Sequence, residues 1–110
     1  MVNTPEVSRF AAVLASDGFD PVTKEQLVSG QTSRTLRALM AGCGLYEEIG
    51  AYNIACGIPA KSGSSGVIAA AARQKAGIAV FSPGLDSAGN SVRGMKALSY
   101  LSDQLDLRTI

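Results

Sequence analysis

The residues best suited by type and spacing to do chemistry lie in GIPAKSGSSG, positions 57–66, where one cation, Lys61, is set among Pro59, the hydroxyls of Ser62, Ser64 and Ser65, and three glycines. Glycine and proline fix backbone geometry rather than merely fill a linker, so the charge is held in a defined place. One chemistry for such a stretch is phosphate binding by a G-x-x-x-x-G-K-[ST] loop. The spacing fails: Ala60 stands where the glycine before the lysine belongs, and Ala55 where the first glycine belongs. The other chemistry is acyl transfer to a serine, with Lys61-Ser62-Gly63 opening an active-site strand. There a strand edge offers a backbone N–H to a developing oxyanion, glycine permits close approach, and the ammonium raises the positive potential around a nucleophilic hydroxyl. Three residues are a weak signal on their own, because a solvated loop lysine gives the same pattern.

Composition narrows the chemistry further. The chain has no histidine, so acid–base work near neutral pH falls to tyrosine, lysine or carboxylates with shifted pKa values. Cys43 and Cys56 are the only cysteines. Without histidine they assemble no Cys/His zinc site, and they read as reduced, buried, small apolar residues, with no metal or cofactor expected. Ten basic and nine acidic residues give a net charge of +1, which provides no broad basic field and excludes nucleic acid as a partner. No apolar run approaches the roughly 20 residues that span a bilayer, and MVNTPEVSRF lacks the apolar core of a secretory signal. A soluble, cytoplasmic chain with no membrane partner is expected. At 110 residues and 46% hydrophobic, it fits one small domain that buries roughly 65% of the surface its unfolded form exposes.

The elements that must position Lys61 can be read in order. Asn3 or Thr4 caps a first helix with Pro5 at its first position and Val7, Phe10, Ala11 and Leu14 on one face, ending at Gly18. FDPVTKEQLVSG reads as a turn-rich connection. A second helix starts near Ser29 and runs through Leu36, Leu39 and Met40 to Gly42 or Gly44. Tyr46, Ile49, Tyr52 and Ile54 give a short helical segment that Pro59 stops. After the motif come two apolar runs, about 64–73 and 76–82. Ala69 to Ala72 favour helix by propensity, but the polar break at 73–75 and the run Ile78, Val80, Phe81 favour an antiparallel hairpin. Asn90 or Ser91 caps a last helix, about 91–106, whose stripe Val92, Met95, Leu98, Leu101 and Leu105 packs on the hairpin.

Longer motifs surround the lysine. CGLYEEIGAYNIACGIPAKSGSSGVI followed by FSPGLDSAGNSVRGMKAL closely resembles the C-terminal part of the serine-dependent glutaminases, which show C-G-x-Y-[DE], then G-[LI]-P-A-K-S-G-x-x-G-G, then W-S-P-x-L-[DN] and G-N-S-x-x-G. AAVLASDGFDPVT is similar to their A-A-T-L-A-N-G-G-x-x-P-x-T, so the resemblance covers nearly the whole chain. It implies hydrolysis of L-glutamine to L-glutamate and ammonia through a serine acyl-enzyme. It also implies an α/β (α+β) fold of the serine β-lactamase type, with residues 1–110 as a single unit forming its C-terminal portion. By resemblance Tyr46 contacts substrate and exchanges a proton with nucleophile and leaving group. A free phenol has a pKa of about 10, so that role requires a nearby cation, which a lysine supplies. Ser64 stands where the family commonly has valine, whose backbone N–H helps form the oxyanion hole, and Lys61 supports the site by charge and hydrogen bonds. Ser62 and Gly63 shape the strand, and Gly66 matches the first glycine of G-G. Val67 replaces the second glycine and Phe81 the common tryptophan, which are packing changes. Ser82, Pro83, Asp86, Gly89 and Asn90 match a loop and helix cap and are read as structural.

The family's nucleophile belongs to an S-x-x-K motif, and no serine here has lysine three residues later. The expectation is therefore a C-terminal fragment of a longer glutaminase, inactive alone, that self-associates or needs the missing N-terminal part of the domain. Two other readings stay open: a β-lactamase or penicillin-binding relative sharing K-[ST]-G, and a noncatalytic module that associates with or regulates a glutaminase.

Overall fold

The computed structural model describes residues 3–110. Helix α1, Thr4–Ala15, begins as its capping sequence requires: Asn3 Oδ1 accepts the Glu6 N–H at 2.9 Å, and Pro5 occupies the second helical position, one later than expected. Helix α2, Gly30–Cys43, is capped by Ser29, whose hydroxyl accepts the Thr32 N–H at 3.0 Å. Between them, the expected turn-rich connection contains a two-residue antiparallel ladder, β1 (Phe19–Asp20) with β2 (Glu25–Gln26). A 3-10 turn, Tyr46–Glu48, then leads into the short helix α3, Ile49–Ala55. Helix α4, Val92–Leu105, is capped by Ser91, not Asn90.

The expected hairpin is present as β4 (Val67–Ala72) and β5 (Ala76–Phe81), paired from Val67↔Phe81 to Ala72↔Ala76. Its first strand begins three residues later than expected, and a third strand precedes it. That strand, β3 (Ala60–Ser62), pairs antiparallel with β4 through Lys61↔Ala69, giving a sheet of order β3-β4-β5.

The alanine run adopts strand rather than helix because of what lies on it. Ala71 pairs with Gly77 and Ala69 with Ala79, so beyond the Val67↔Phe81 pair this face of the hairpin carries almost no side-chain bulk. Helix α1 uses that space. A Cβ on Gly77 would overlap the backbone of Ala12, and Leu14, Ala15, Ala71 and Met40 pack as one cluster. The tertiary contact overrides local propensity. On the opposite face, Ile68, Ala70 and Ala72 pack with Leu45, Tyr52, Cys56, Ile58, Leu98 and Leu107 to form the main core. Of the α4 stripe, Leu98 is fully buried and Met95 and Leu101 pack against this core, while Val92 and Leu105 are exposed.

Helix α2 meets α1 through polar groups rather than its leucines. Ser33 and Arg37 are buried and both donate to the Leu14 carbonyl, one of the carbonyls that the end of α1 leaves without a helical partner. A cation at a helix C-terminus also complements its dipole. Arg37 continues to Asp17 at 2.9 Å. Leu36 and Leu39 are exposed, as is Phe10 of α1.

The β1 strand is held to α1 by Asp20, whose Oδ2 accepts from Arg9 Nη2 at 2.8 Å and whose Oδ1 accepts the Val22 N–H at 2.9 Å. The Arg9 hydrogen bond, then the Val22 N–H, holds the Asp20 carboxyl down at about 2, against an ordinary 3.8. A carboxylate depressed on folding stabilises the fold above its unfolded pKa, and that contribution fades as pH falls toward the folded value. Urea unfolding against pH should therefore show stability lost between about pH 4 and pH 2, with Asp20→Asn flattening that slope relative to wild type.

Candidate active site

The site is built where α2 ends. Gly44, the residue after Cys43, lies with its backbone directly on β3: the Ser62 N–H donates to the Gly44 carbonyl at 3.0 Å, and a Cβ on Gly44 would overlap the Ala60 carbonyl oxygen. Two residues later Tyr46 opens the 3-10 turn with φ +56°, in the left-handed region that a bulky side chain rarely occupies. Holding it there costs about 1–3 kcal/mol. The ring is half exposed.

On β3, Ala60 and Ser62 point into the core and Lys61, between them, faces the other side of the sheet. Its Nζ stands 4.8 Å from the centroid of the Tyr46 ring and donates to the Ser62 carbonyl at 2.6 Å. The ammonium thus stands over the face of the Tyr46 ring, where the π-electrons attract it. Tyr52 is the contrasting case. Its O–H donates to the Ile58 carbonyl at 2.9 Å and accepts from Cys56 Sγ, and burial, then the Cys56 hydrogen bond and charge, pushes its phenol well above the ordinary value. Tyr52 is a core residue and Tyr46 is the available one.

Residues 63–66 form a tight turn between β3 and β4, closed by the Gly66 N–H to the Gly63 carbonyl at 3.2 Å. Gly63 donates to Val67 at 2.9 Å, leaving no room for a side chain beside Val67. Gly66 has φ +98° and backs onto Ser82, whose N–H donates to its carbonyl at 3.0 Å. Ser64 sits at the exposed first corner of this turn, not inside a strand as expected; among the described residues its N–H donates to no partner. Ser62 is buried, with its Oγ 3.5 Å from the Gly44 carbonyl.

Behind Tyr46 lies a polar cluster that sequence reasoning did not place at the site. Asn90, fully buried, donates through Nδ2 to the Leu45 carbonyl at 2.9 Å and to Glu48 Oε1 at 2.6 Å. Its Oδ1 is buried without a partner among the described residues, an arrangement that costs about 1–3 kcal/mol. The Asn90 amide is the largest influence on Glu48 and favours its charge. Even so, the hydrogen bond shared with Asp86, burial, and the negative charges of Asp86 and Glu47 together raise the Glu48 carboxyl. Asp86 is correspondingly lowered, by the hydrogen bond from Glu48 and then by the Asn90, Ala88 and Gly89 N–H groups. The signal in the sequence was Asn90-Ser91, two cap-type residues in succession for one helix, of which only Ser91 caps.

An apolar groove of about 520 Å³ opens beside Lys61 on the α1 side of the sheet, lined by Phe10, Leu36, Leu39, Met40, Cys43 and Ala69 among others. The exposed leucines of α2 belong to it. Both cysteines are free thiols; Cys56 is buried as expected, whereas Cys43 is exposed on this groove.

The sequence matches the protein-family model described as Glutaminase over residues 1–109. It is 42% identical over 106 residues to glutaminase 2 of Clostridium perfringens, covering 96% of this chain and 35% of that protein. It is 47% identical over 107 residues to a glutaminase of Trichormus variabilis, covering 97% of this chain and 32% of that one. The chain thus spans about a third of the length of these relatives. Among solved structures, the fold superposes with a TM-score of 0.92 and 32% identity on a Bacillus subtilis glutaminase in covalent complex with 5-oxo-L-norleucine, formed by reaction with 6-diazo-5-oxo-L-norleucine, covering 99% of this chain and 40% of that one.

Because the Gly44 backbone has a normal helical φ of −67° and lacks only space for a side chain, Gly44→Ala tests the contact sterically. Gly44→Ala should lower unfolding stability by about 3 kcal/mol, whereas Gly42→Ala, where an added Cβ meets nothing, should leave it unchanged or raise it.

Proposed function

Because this chain belongs to the glutaminase family, we propose that it supplies about a third of a glutaminase catalytic unit, the third carrying Tyr46, Lys61 and the Ser64 amide, for hydrolysis of L-glutamine to L-glutamate and ammonia. The observation that carries the proposal is the juxtaposition of Lys61 and Tyr46 beside a turn whose Ser64 N–H has no partner among the described residues. A serine from the rest of the unit attacks the side-chain amide carbon of glutamine. The developing oxyanion accepts a hydrogen bond from the Ser64 N–H, and Tyr46 relays the serine proton to the departing nitrogen. The C–N bond breaks, ammonia leaves, and water then cleaves the acyl-enzyme ester by the reverse proton path. Lys61 adds positive potential and orients the phenol. Ser62, Gly63 and Gly66 hold the backbone of the turn. The ligand of the Bacillus subtilis structure supports this substrate: norleucine with a carbonyl at carbon 5 has the α-amino acid head and the electrophilic carbon position of glutamine.

The apolar groove is where the rest of the unit packs, since it is apolar, open and adjoins Lys61. Two free thiols suit a reducing cytoplasm, and no helix among the described residues is long and apolar enough to cross a membrane.

Exchanging this chain for the matching 35% of the Clostridium perfringens enzyme gives a hybrid that tests the proposal. The hybrid should release ammonia from glutamine, while the 110-residue chain alone should not; a folded but inactive hybrid would refute the assignment. Ser64→Pro removes the N–H at a turn corner where proline is tolerated and should lower kcat about 10²- to 10³-fold, whereas Ser64→Val should retain activity. Equal activity of the two variants would exclude the amide. In sedimentation, the chain alone should self-associate with rising concentration and Leu39→Glu should suppress this; a compact monomer at all concentrations would argue against a groove that needs covering.

A further inference from the structure

Near the site the fold holds Tyr46 and Asn90 against their intrinsic preferences, Tyr46 in left-handed backbone and Asn90 with a buried acceptor that has no partner among the described residues. Asn90 Nδ2 donates to the carbonyl oxygen of Leu45, the residue before Tyr46. That oxygen and the Tyr46 N–H belong to one planar peptide group, and the φ of Tyr46 is rotation about the bond leaving that plane. Whatever grips the Leu45 oxygen therefore sets the reference from which the tyrosine ring is directed. The same carboxamide holds Glu48 Oε1 at 2.6 Å, gripping the turn on both sides of Tyr46, while the Glu48 N–H reaches the Leu45 oxygen at 3.2 Å.

The holder is itself fixed. Asp86 accepts the Ala88 and Asn90 N–H groups at 3.0 and 3.1 Å, and its own N–H donates to the Asn90 carbonyl at 2.9 Å, closing residues 86–90 into a rigid loop. Gly89 of this loop lies against the tyrosine: a Cβ built there would stand 3.9 Å from Tyr46 Cε2. Helix capping does not account for Asn90, because Ser91 accepts the Gly94 N–H at 3.0 Å and donates to the Ser82 carbonyl at 2.7 Å. We infer that Asn90 is a positioning residue for Tyr46: its carboxamide clamps the Leu45–Tyr46 peptide and keeps the phenol ring beneath Lys61. The clamp is a property of the chain, and its importance for turnover rests on the glutaminase reading above.

The unaltered chain gives the first test. By NMR, the Asn90 carboxamide protons should exchange with solvent about 10²-fold or more slowly than those of exposed Asn3, and rapid exchange would overturn the clamp however the variants behave. Asn90→Asp, equal in size but without donors, and Asn90→Ala should weaken the nuclear Overhauser contacts between Lys61 and Tyr46 by about half or more, with the Tyr52 resonances unmoved. Retention of those contacts in either folded variant overturns the inference. In the hybrid enzyme, Asn90→Ala should lower kcat about 10- to 100-fold with KM changed less than about threefold, and an unchanged kcat in an active hybrid also overturns it. A hybrid that is inactive before any substitution counts against the glutaminase reading, and the NMR result then decides the clamp alone.

Discussion

Everything at this site depends on one backbone-to-backbone contact, the seating of Gly44 against β3. Without a side chain at position 44, the end of α2 reaches the strand closely enough for the Ser62 N–H to bond the Gly44 carbonyl. Tyr46 follows two residues later in one direction and Lys61 precedes Ser62 in the other, so their 4.8 Å approach is a consequence of that seating. A lysine on a flexible loop and a tyrosine on a fraying helix end would lose conformational freedom on meeting. Here both are already held, by strand pairing on one side and by a strained turn on the other, so little freedom remains for either to lose.

The same economy of side-chain volume organises the layers. Ala69, Ala71, Gly77 and Ala79 make the turn end of one hairpin face nearly flat, α1 lies directly on it, and the sheet is thereby set between α1 and the α3–α4 core. Against this close packing, the groove beside Lys61 stands out because its leucines and Phe10 have no cover. The proposed catalytic surface and an uncovered apolar face adjoin one another, as they must if the groups that complete the chemistry and those that complete the core arrive on the same piece of polypeptide.

Local signals were legible in the sequence where the interactions are local. Asn3, Ser29 and Ser91 cap their helices through bonds spanning three residues, and the 73–75 break is a turn with Gln74 in left-handed backbone. Strand β3 escaped because three residues, one of them lysine, carry no periodicity, and only pairing with β4 makes them a strand. The apolar residues of α2, Leu36, Leu39 and Met40, do not by themselves say what covers them. What α2 buries is Ser33 and Arg37, whose partners are a carbonyl and a carboxylate on the preceding segment. Lys61 is marked in the sequence by its glycine- and proline-rich setting, and Tyr46 and Ser64 are singled out only by motif resemblance, whereas Asn90 reads as a helix-cap candidate because its bond to Leu45 crosses 45 positions of chain.

The most direct measurement of the site is a crystal structure of the hybrid glutaminase after reaction with 6-diazo-5-oxo-L-norleucine. The carbonyl oxygen of the adduct should lie about 3 Å from the Ser64 nitrogen, with the Tyr46 hydroxyl facing the reacting serine and Lys61 still over its ring. An adduct oxygen bound elsewhere, with the Ser64 N–H directed to solvent or Tyr46 turned out of the site, would contradict the assignment of these residues.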